Sequence, residues 1–229
     1  MIKQLKEEVC AANLELFKQG LVTLTWGNVS GIEFAEKLVV IKPSGVPYQS
    51  LRPENMVVVD LDGKIVEGKG NPSSDTPTHL KLYNAFPQVG GITHTHSPYA
   101  TMFAQACKEI PCLGTTHADN FNGAIPVTRY LTEDEVNRGY EANTGNIIVE
   151  RFSGTDVLAL PAVLVAGHAP FTWGKDASES VRNAIALENI AKMAMGTIWL
   201  NPDIPELPRY ISKKHYERKH GPDAYYGQK

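Results

Sequence analysis

Residues 90–100 read GGITHTHSPYA, an apolar run interrupted by two histidines. A short apolar run closed by Pro98 predicts a buried strand over 91–96 and a helix from Pro98 to about Cys107. The strand nevertheless carries His94 and His96. Side chains at i and i+2 of a strand share a face with Cα atoms roughly 6.6 Å apart, so two imidazoles can converge on one ion. His-x-His alone also describes a polar edge strand. A third histidine, His168, weighs against that, because it follows a second apolar run, AVLVAG (162–167), where Gly167 lets the chain turn. Three histidines with an open position form a catalytic zinc arrangement, whereas a closed structural site normally uses cysteines. His79 and His117 read as a helix-surface residue and a loop residue.

Working outward, Leu5, Val9, Ala12 and Leu16 recur at helical spacing, which predicts an amphipathic N-terminal helix ended near Gly20. The runs LVTLTWGNVSG (21–31), KLVVIKPSG (37–45) and MVVVDLDGKIVEG (56–68) read as strands, the last with Asp62-Gly63 as a hairpin signal. Asp75 or Thr76 can cap a helix with Pro77 in its first turn, running to about Phe86. Thr132 and Glu135 have capping-box spacing, as do Asp176 and Glu179 ahead of a long apolar helix to about Leu200. Further strands are predicted at 146–150 and 162–166, and a last short helix in the basic stretch ISKKHYERKHG (211–221). No repeat or linker divides the chain. Helices interleaved with hairpins predict a sheet covered by helices, one α/β or α+β domain over residues 1–229.

The chain has 229 residues, 42% of them hydrophobic and 21% charged, as in an ordinary globular protein large enough for a substantial core. A net charge of −3 argues against general nucleic-acid binding. No apolar run approaches the ~18 residues of a membrane span, and the charged, amphipathic start does not read as a secretory signal. Cys10, Cys107 and Cys112 form no C-x-x-C and read as small buried hydrophobes in a reducing compartment, so the expected location is cytoplasmic.

Three loops share one vocabulary: TWGNVSG (25–31), KPSG (42–45) and NPSSDTPTH (71–79). Ser73 and Ser74 precede a helix start, where free backbone N–H groups attract anions. Lys42 adds a point charge, and Gly45 permits close backbone approach. Together they predict a phosphate pocket. GKGNPS (68–73) lacks the third glycine of a dinucleotide fingerprint, and there is no Walker motif, so no nucleotide cofactor is expected.

These blocks, with GTTHAD (114–119), GHAPFTWGK (167–175) and the terminal KHY, RKHG and AYYGQ segments, run through nearly the whole chain. Together they resemble the class II aldolase/adducin-head family, and within it the L-ribulose-5-phosphate 4-epimerases of arabinose or ascorbate breakdown. The resemblance implies a central, mainly antiparallel sheet flanked by helices and one divalent metal ion per chain, usually Zn²⁺. It also implies a cyclic homotetramer with active sites between subunits and a sugar-phosphate substrate, while the charge and the lack of a long apolar run leave no nucleic-acid or membrane partner expected. It makes His94, His96 and His168 metal ligands, with Asp75 a fourth ligand or close neighbour. Gly27, Asn28, Lys42, Ser44, Gly45, Ser73 and Ser74 become the phosphate pocket, and His215 and Arg218 reach a neighbouring subunit's site. Asp119 and Tyr226 stand where the epimerases have their acid/base pair. Two relatives differ informatively: class II sugar-phosphate aldolases have Glu where this chain has Asp75 and release their fragments, and the adducin-head assembly domain lacks the metal histidines.

Overall fold

The computed structural model describes residues 1–226. Seven strands form one sheet: β1 (Asn28–Glu33), β2 (Leu38–Ile41), β3 (Val57–Asp60), β4 (Ile65–Glu67), β5 (Gly91–His94), β6 (Ala162–Leu164) and β7 (Pro170–Gly174). Their order is β4-β3-β2-β1-β5-β7-β6, and every pairing is antiparallel. Around it lie helices α1 (Ile2–Lys18), α2 (Thr76–Ala85), α3 (Pro98–Gln105), α4 (Thr115–Ala118), α5 (Glu133–Arg151), α6 (Ala177–Leu200) and α7 (Arg209–His220). The central antiparallel sheet flanked by helices is the architecture expected.

Both faces of the sheet are covered. Val40 and Val58 pack with Val9 and Leu16 of α1, while Val39 and Val59 join Leu80 and Leu82 of α2 and Ile148 of α5. Adjacent strand residues thus feed different cores, as the two-residue period of a strand requires. The hairpin at Asp62-Gly63 forms, with Asp60 Oδ1 accepting from the Asp62 and Lys64 backbone N–H groups at 3.0 and 2.9 Å. The Thr132/Glu135 capping box also forms in full. At α6 only half of one forms: Asp176 accepts from the Glu179 N–H, but the Glu179 carboxylate turns to the N–H of Lys175.

Several expectations are corrected. Residues 146–150 belong to α5: the cap at Thr132 starts a helix whose Ile147 and Ile148 bury in the same core as α2, and that packing overrides their β preference. A strand that the sequence reading missed is β7, PFTWG, which is buried at all five positions between β5 and β6 and so shows no alternation. In the first β-like run, residues 21–27 stay irregular because Leu24 and Gly27 take positive φ values of 55° and 74°. His79 is not on a helix surface; it is fully buried, with Nδ1 2.7 Å from Ser30 Oγ, which also meets Tyr83 OH at 2.8 Å. His117 lies in α4 and is buried, donating from Nε2 to the Gly123 carbonyl at 2.7 Å. Cys10 and Cys112 are buried as expected, but Cys107 is exposed. Among the described residues, no helix is long and apolar enough to cross a membrane.

Candidate functional site

Sheet register gathers one set of side chains at one end of the sheet. Asn28 opens β1 opposite His94, which closes β5, and His94 in turn faces Phe171 at the start of β7. Because the strands are antiparallel, the end of β2 also lies here, and Lys42 follows it directly. His168 sits in the tight β6–β7 turn, where Gly167 has φ 69° and the His168 N–H donates to the Val165 carbonyl at 3.0 Å. His96 lies two residues beyond the strand end, so β5 is shorter than predicted.

The three imidazoles nevertheless converge, with ring centroids 4.9 to 5.0 Å apart and one nitrogen from each within 4.8 Å of the others. The Pro170 carbonyl lies 2.9 Å from His94 Nδ1 and can only accept, so Nδ1 carries the proton and Nε2 presents its lone pair. That Nε2 is 3.1 Å from Nε2 of His96. Two nitrogens at ~2.0–2.1 Å from a tetrahedral ion stand roughly 3.3 Å apart, so the trio fits a divalent cation. Burial, reinforced by His94, pulls the pKa of His96 down to about 4, and the same causes with His96 added bring His168 to about 4. Both imidazoles are therefore neutral at pH 7, the form that ligates metal. Behind His168, Tyr140 OH lies 3.4 Å from Nδ1.

Asp75 stands beside the trio. Burial alone would raise its carboxyl pKa, but His94, His79, the Asn28 amide and His168 together hold it below the usual range. Its Oδ2 accepts from Asn28 Nδ2 at 2.7 Å, so it does not cap α2, although it occupies the N-cap position.

Next to the trio the predicted phosphate loops meet. Loops 42–45 and 71–75 are stitched together by N–H donation from Ser44 to the Asn71 carbonyl at 2.9 Å and from Ser73 to the Lys42 carbonyl at 3.0 Å. Lys42 is almost wholly buried and makes only long bonds to the carbonyls of Thr25 and Pro43, at 3.3 and 3.4 Å. Burial lowers its pKa to about 8. Among the described residues it has no carboxylate partner, so an anion would complete its environment. Gly27, Asn28, Lys42, Ser44, Gly45, Ser73, Ser74, Asp75, His96 and His168 all line one cleft of about 540 Å³. The same cleft is lined by Thr25 and Trp26, the first two residues of the TWGNVSG block, and by Tyr140 and Glu141, which no sequence motif singles out. The signal that could have found Tyr140 is a glycine inside a helical stretch: Gly139 breaks α5 with φ 146° and ψ 96°.

The remaining four residues form a second cluster, and none of them lines the cleft. Asp119 accepts from Arg218 Nε at 2.9 Å and lies 3.1 Å from His215 Nδ1, with Lys219 Nζ at 3.8 Å. Burial would raise its pKa, but the hydrogen bonds from Arg218 and His215 and the charge of Lys219 outweigh that and lower it. Tyr226 is exposed, its ring 5.1 Å from Arg218 Cζ and 4.5 Å from Lys219 Nζ. His215 and Arg218 therefore engage Asp119 of their own chain, through contacts between α4 and α7.

The sequence profile described as "Class II Aldolase and Adducin N-terminal domain" matches residues 7–195. Two curated relatives, from Salmonella paratyphi A and Salmonella typhi, are each 53% identical over 228 residues, covering 100% of this chain and of their own, and both are named L-ribulose-5-phosphate 4-epimerase UlaF. Among solved structures, an L-fuculose 1-phosphate aldolase superposes with a TM-score of 0.79 at 23% identity, covering 94% of this chain and 95% of its own. At that identity the likeness establishes the fold alone.

Proposed function

The chain belongs to the class II aldolase and adducin N-terminal domain family, and on that premise we propose that it interconverts L-ribulose 5-phosphate and D-xylulose 5-phosphate. The observation that carries this reading is the adjacency of a three-histidine cluster, two of whose members line the cleft, and of the Lys42 and Ser73–Ser74 loops that line it too. The full-length likeness to proteins named for this epimerisation supports it.

The chemistry explains the residues. In a 2-ketopentose 5-phosphate the carbonyl acidifies C3, not C4, so inversion at C4 by simple proton abstraction is hard. Transient oxidation at C4 would need a hydride carrier, whose fingerprint the sequence lacks. Cleavage of C3–C4 remains. A base removes the C4 hydroxyl proton, the C4–O electrons form an aldehyde, and the C3–C4 pair moves toward C2 to give an enediolate of the three-carbon fragment. Glycolaldehyde phosphate, held by its phosphate, turns over and is attacked on its other face. A divalent ion held by His94, His96 and His168, zinc in this reading, supplies Lewis-acid stabilisation of the charge developing on the ketone oxygen.

Asn28, Ser44, Gly45, Ser73 and Ser74, with the Gly27 backbone and Lys42, hold the phosphate in this reading. Asp75 stays a charged neighbour of the histidines, tied to Asn28. Asp119 and Tyr226 serve as proton acceptor and donor for the two faces of the aldehyde. They do not line their own chain's cleft, so the reading places them at the cleft of an adjacent copy in a homotetramer. His215 and Arg218 then act chiefly by holding Asp119 ionised rather than by binding phosphate.

The test is to incubate purified protein and divalent metal with L-ribulose 5-phosphate and follow D-xylulose 5-phosphate. Accumulation of dihydroxyacetone and glycolaldehyde phosphate without the epimer would make the protein an aldolase, and no turnover would refute the reading.

A further inference from the structure

We propose that Trp26 keeps the cleaved glycolaldehyde phosphate in the cleft, so that it is re-attacked instead of leaving; this deepens the epimerase reading and rests on it. Trp26 lines the cleft, half-exposed, with its ring centroid 6.1 Å from that of His96. The next two residues in the chain are Gly27 and Asn28 of the anion-binding loops. The ring therefore adjoins one histidine of the trio and is carried by the chain that leads into the phosphate pocket. A fragment anchored by its phosphate, with its aldehyde at the trio, lies in the cleft that this ring lines.

An exposed tryptophan alone means little, since single apolar side chains are common on surfaces. Trp199, 85% exposed near the end of α6, is such a case. Trp26 differs because the backbone that presents it is held in an unfavourable path. Leu24 adopts φ 55°, which an L-residue avoids, and Gly27 adopts φ 74°. The Trp26 N–H donates to the Thr23 carbonyl at 3.0 Å. The hydroxyl of fully buried Tyr48 reaches the carbonyls of both Trp26 and Gly27, at 2.9 and 2.8 Å. A loop fixed this firmly with its largest side chain left facing a cleft is built to present a wall. Tyr140 lines the same cleft, 6.0 Å from His168 between ring centroids and directly after the break at Gly139.

An epimerase and an aldolase share the cleavage step and part ways at what the aldehyde does next. Rotation must be allowed and escape resisted. A rigid apolar wall does this, because it offers contact area without a hydrogen bond that would fix one aldehyde face.

The experiment supplies L-ribulose 5-phosphate together with ¹³C-labelled glycolaldehyde phosphate and unlabelled protein. Label entering the pentulose phosphates, read by mass spectrometry, reports fragment exchange; D-xylulose 5-phosphate formed reports epimerisation. Trp26→Ala is expected to raise the exchange-to-epimerisation ratio by about tenfold or more, the scale of losing one large apolar contact. Trp26→Phe, which retains a smaller ring, is expected to raise it by roughly two- to fivefold and carries the test if the alanine variant does not fold. Wild-type epimerisation with an unchanged ratio in the folded variant overturns the role of Trp26 alone. A wild-type protein that neither epimerises nor exchanges overturns both this inference and the function it rests on.

Discussion

Replacing Gly27 by alanine would strike the site through its backbone. Gly27 has φ 74°, and a Cβ there would lie 2.8 Å from the His94 carbonyl oxygen and 2.9 Å from Val22 Cγ1. The left-handed conformation costs an L-residue about 1–2 kcal/mol, and forcing a methyl into packed surroundings costs about 1–3 kcal/mol. Together they approach a large part of the ~5–15 kcal/mol of a typical fold. The urea midpoint of Gly27→Ala, followed by circular dichroism, is expected to fall by roughly 1–2 M. Gly154 is the control: its φ is 76°, but a methyl there would meet nothing within 4 Å, so Gly154→Ala carries the conformational cost without the clash. Since the carbonyl displaced at Gly27 belongs to a residue of the histidine trio, that variant should also bind Zn²⁺ more weakly in chelator competition, while Gly154→Ala should not. Equal destabilisation of the two variants, with equal metal affinity, would refute the reasoning.

Three further outcomes are expected. Elemental analysis should find about one divalent ion per chain, lost in His96→Ala; undiminished metal in that variant would remove His96 from the ligand set. Metal-stripped protein should lose stability as pH falls from about 6.5 toward about 4, because the unfolded histidines take up protons first, their folded counterparts His96 and His168 being depressed to about 4 and His79 to about 3. Urea titrations giving a flat stability across that window would contradict the burial of these rings. Tyr226→Phe should lower kcat by about 10²–10⁴ with metal content intact, and mixing it with His96→Ala chains after dissociation and reassembly should restore activity; confirmed mixed assemblies without recovery would place Tyr226 outside a neighbouring chain's site.

Much of the fold is legible in the sequence because local and tertiary signals agree. The heptad-like run through Leu5, Val9 and Leu16, the hairpin at Asp62-Gly63 and the box at Thr132/Glu135 each describe a local structure that packing then reinforces. Where the two diverge, sequence pattern misleads. Residues 146–150 have β-branched character but lie inside a helix capped fourteen residues earlier, and β7 is covered on both faces, which erases the alternation that marks a strand. Tyr140, and the placement of Trp26 within the TWGNVSG block, escape notice for a related reason. Both are placed by departures from regular backbone, and no periodicity reports on a residue that follows a break.

The histidine trio shows how a correct grouping can rest on a partly mistaken geometry. Strand period alone would require His94 and His96 to share one face of one strand. The strand in fact ends at His94, and His96 lies beyond it. Convergence survives because three separate constraints act at that end of the sheet. His94 is fixed by its register opposite Asn28 and Phe171 and by the Pro170 carbonyl on Nδ1. His168 is carried by a hairpin turn that Gly167 permits and that the N–H of Gly167 ties to the Ala104 carbonyl of α3 at 2.9 Å. His96 is free of the ladder, and so can turn toward the other two before α3 begins at Pro98. One residue in the ladder, one in a turn and one just past a strand end together combine fixed placement with an opening onto the cleft that His96 and His168 line.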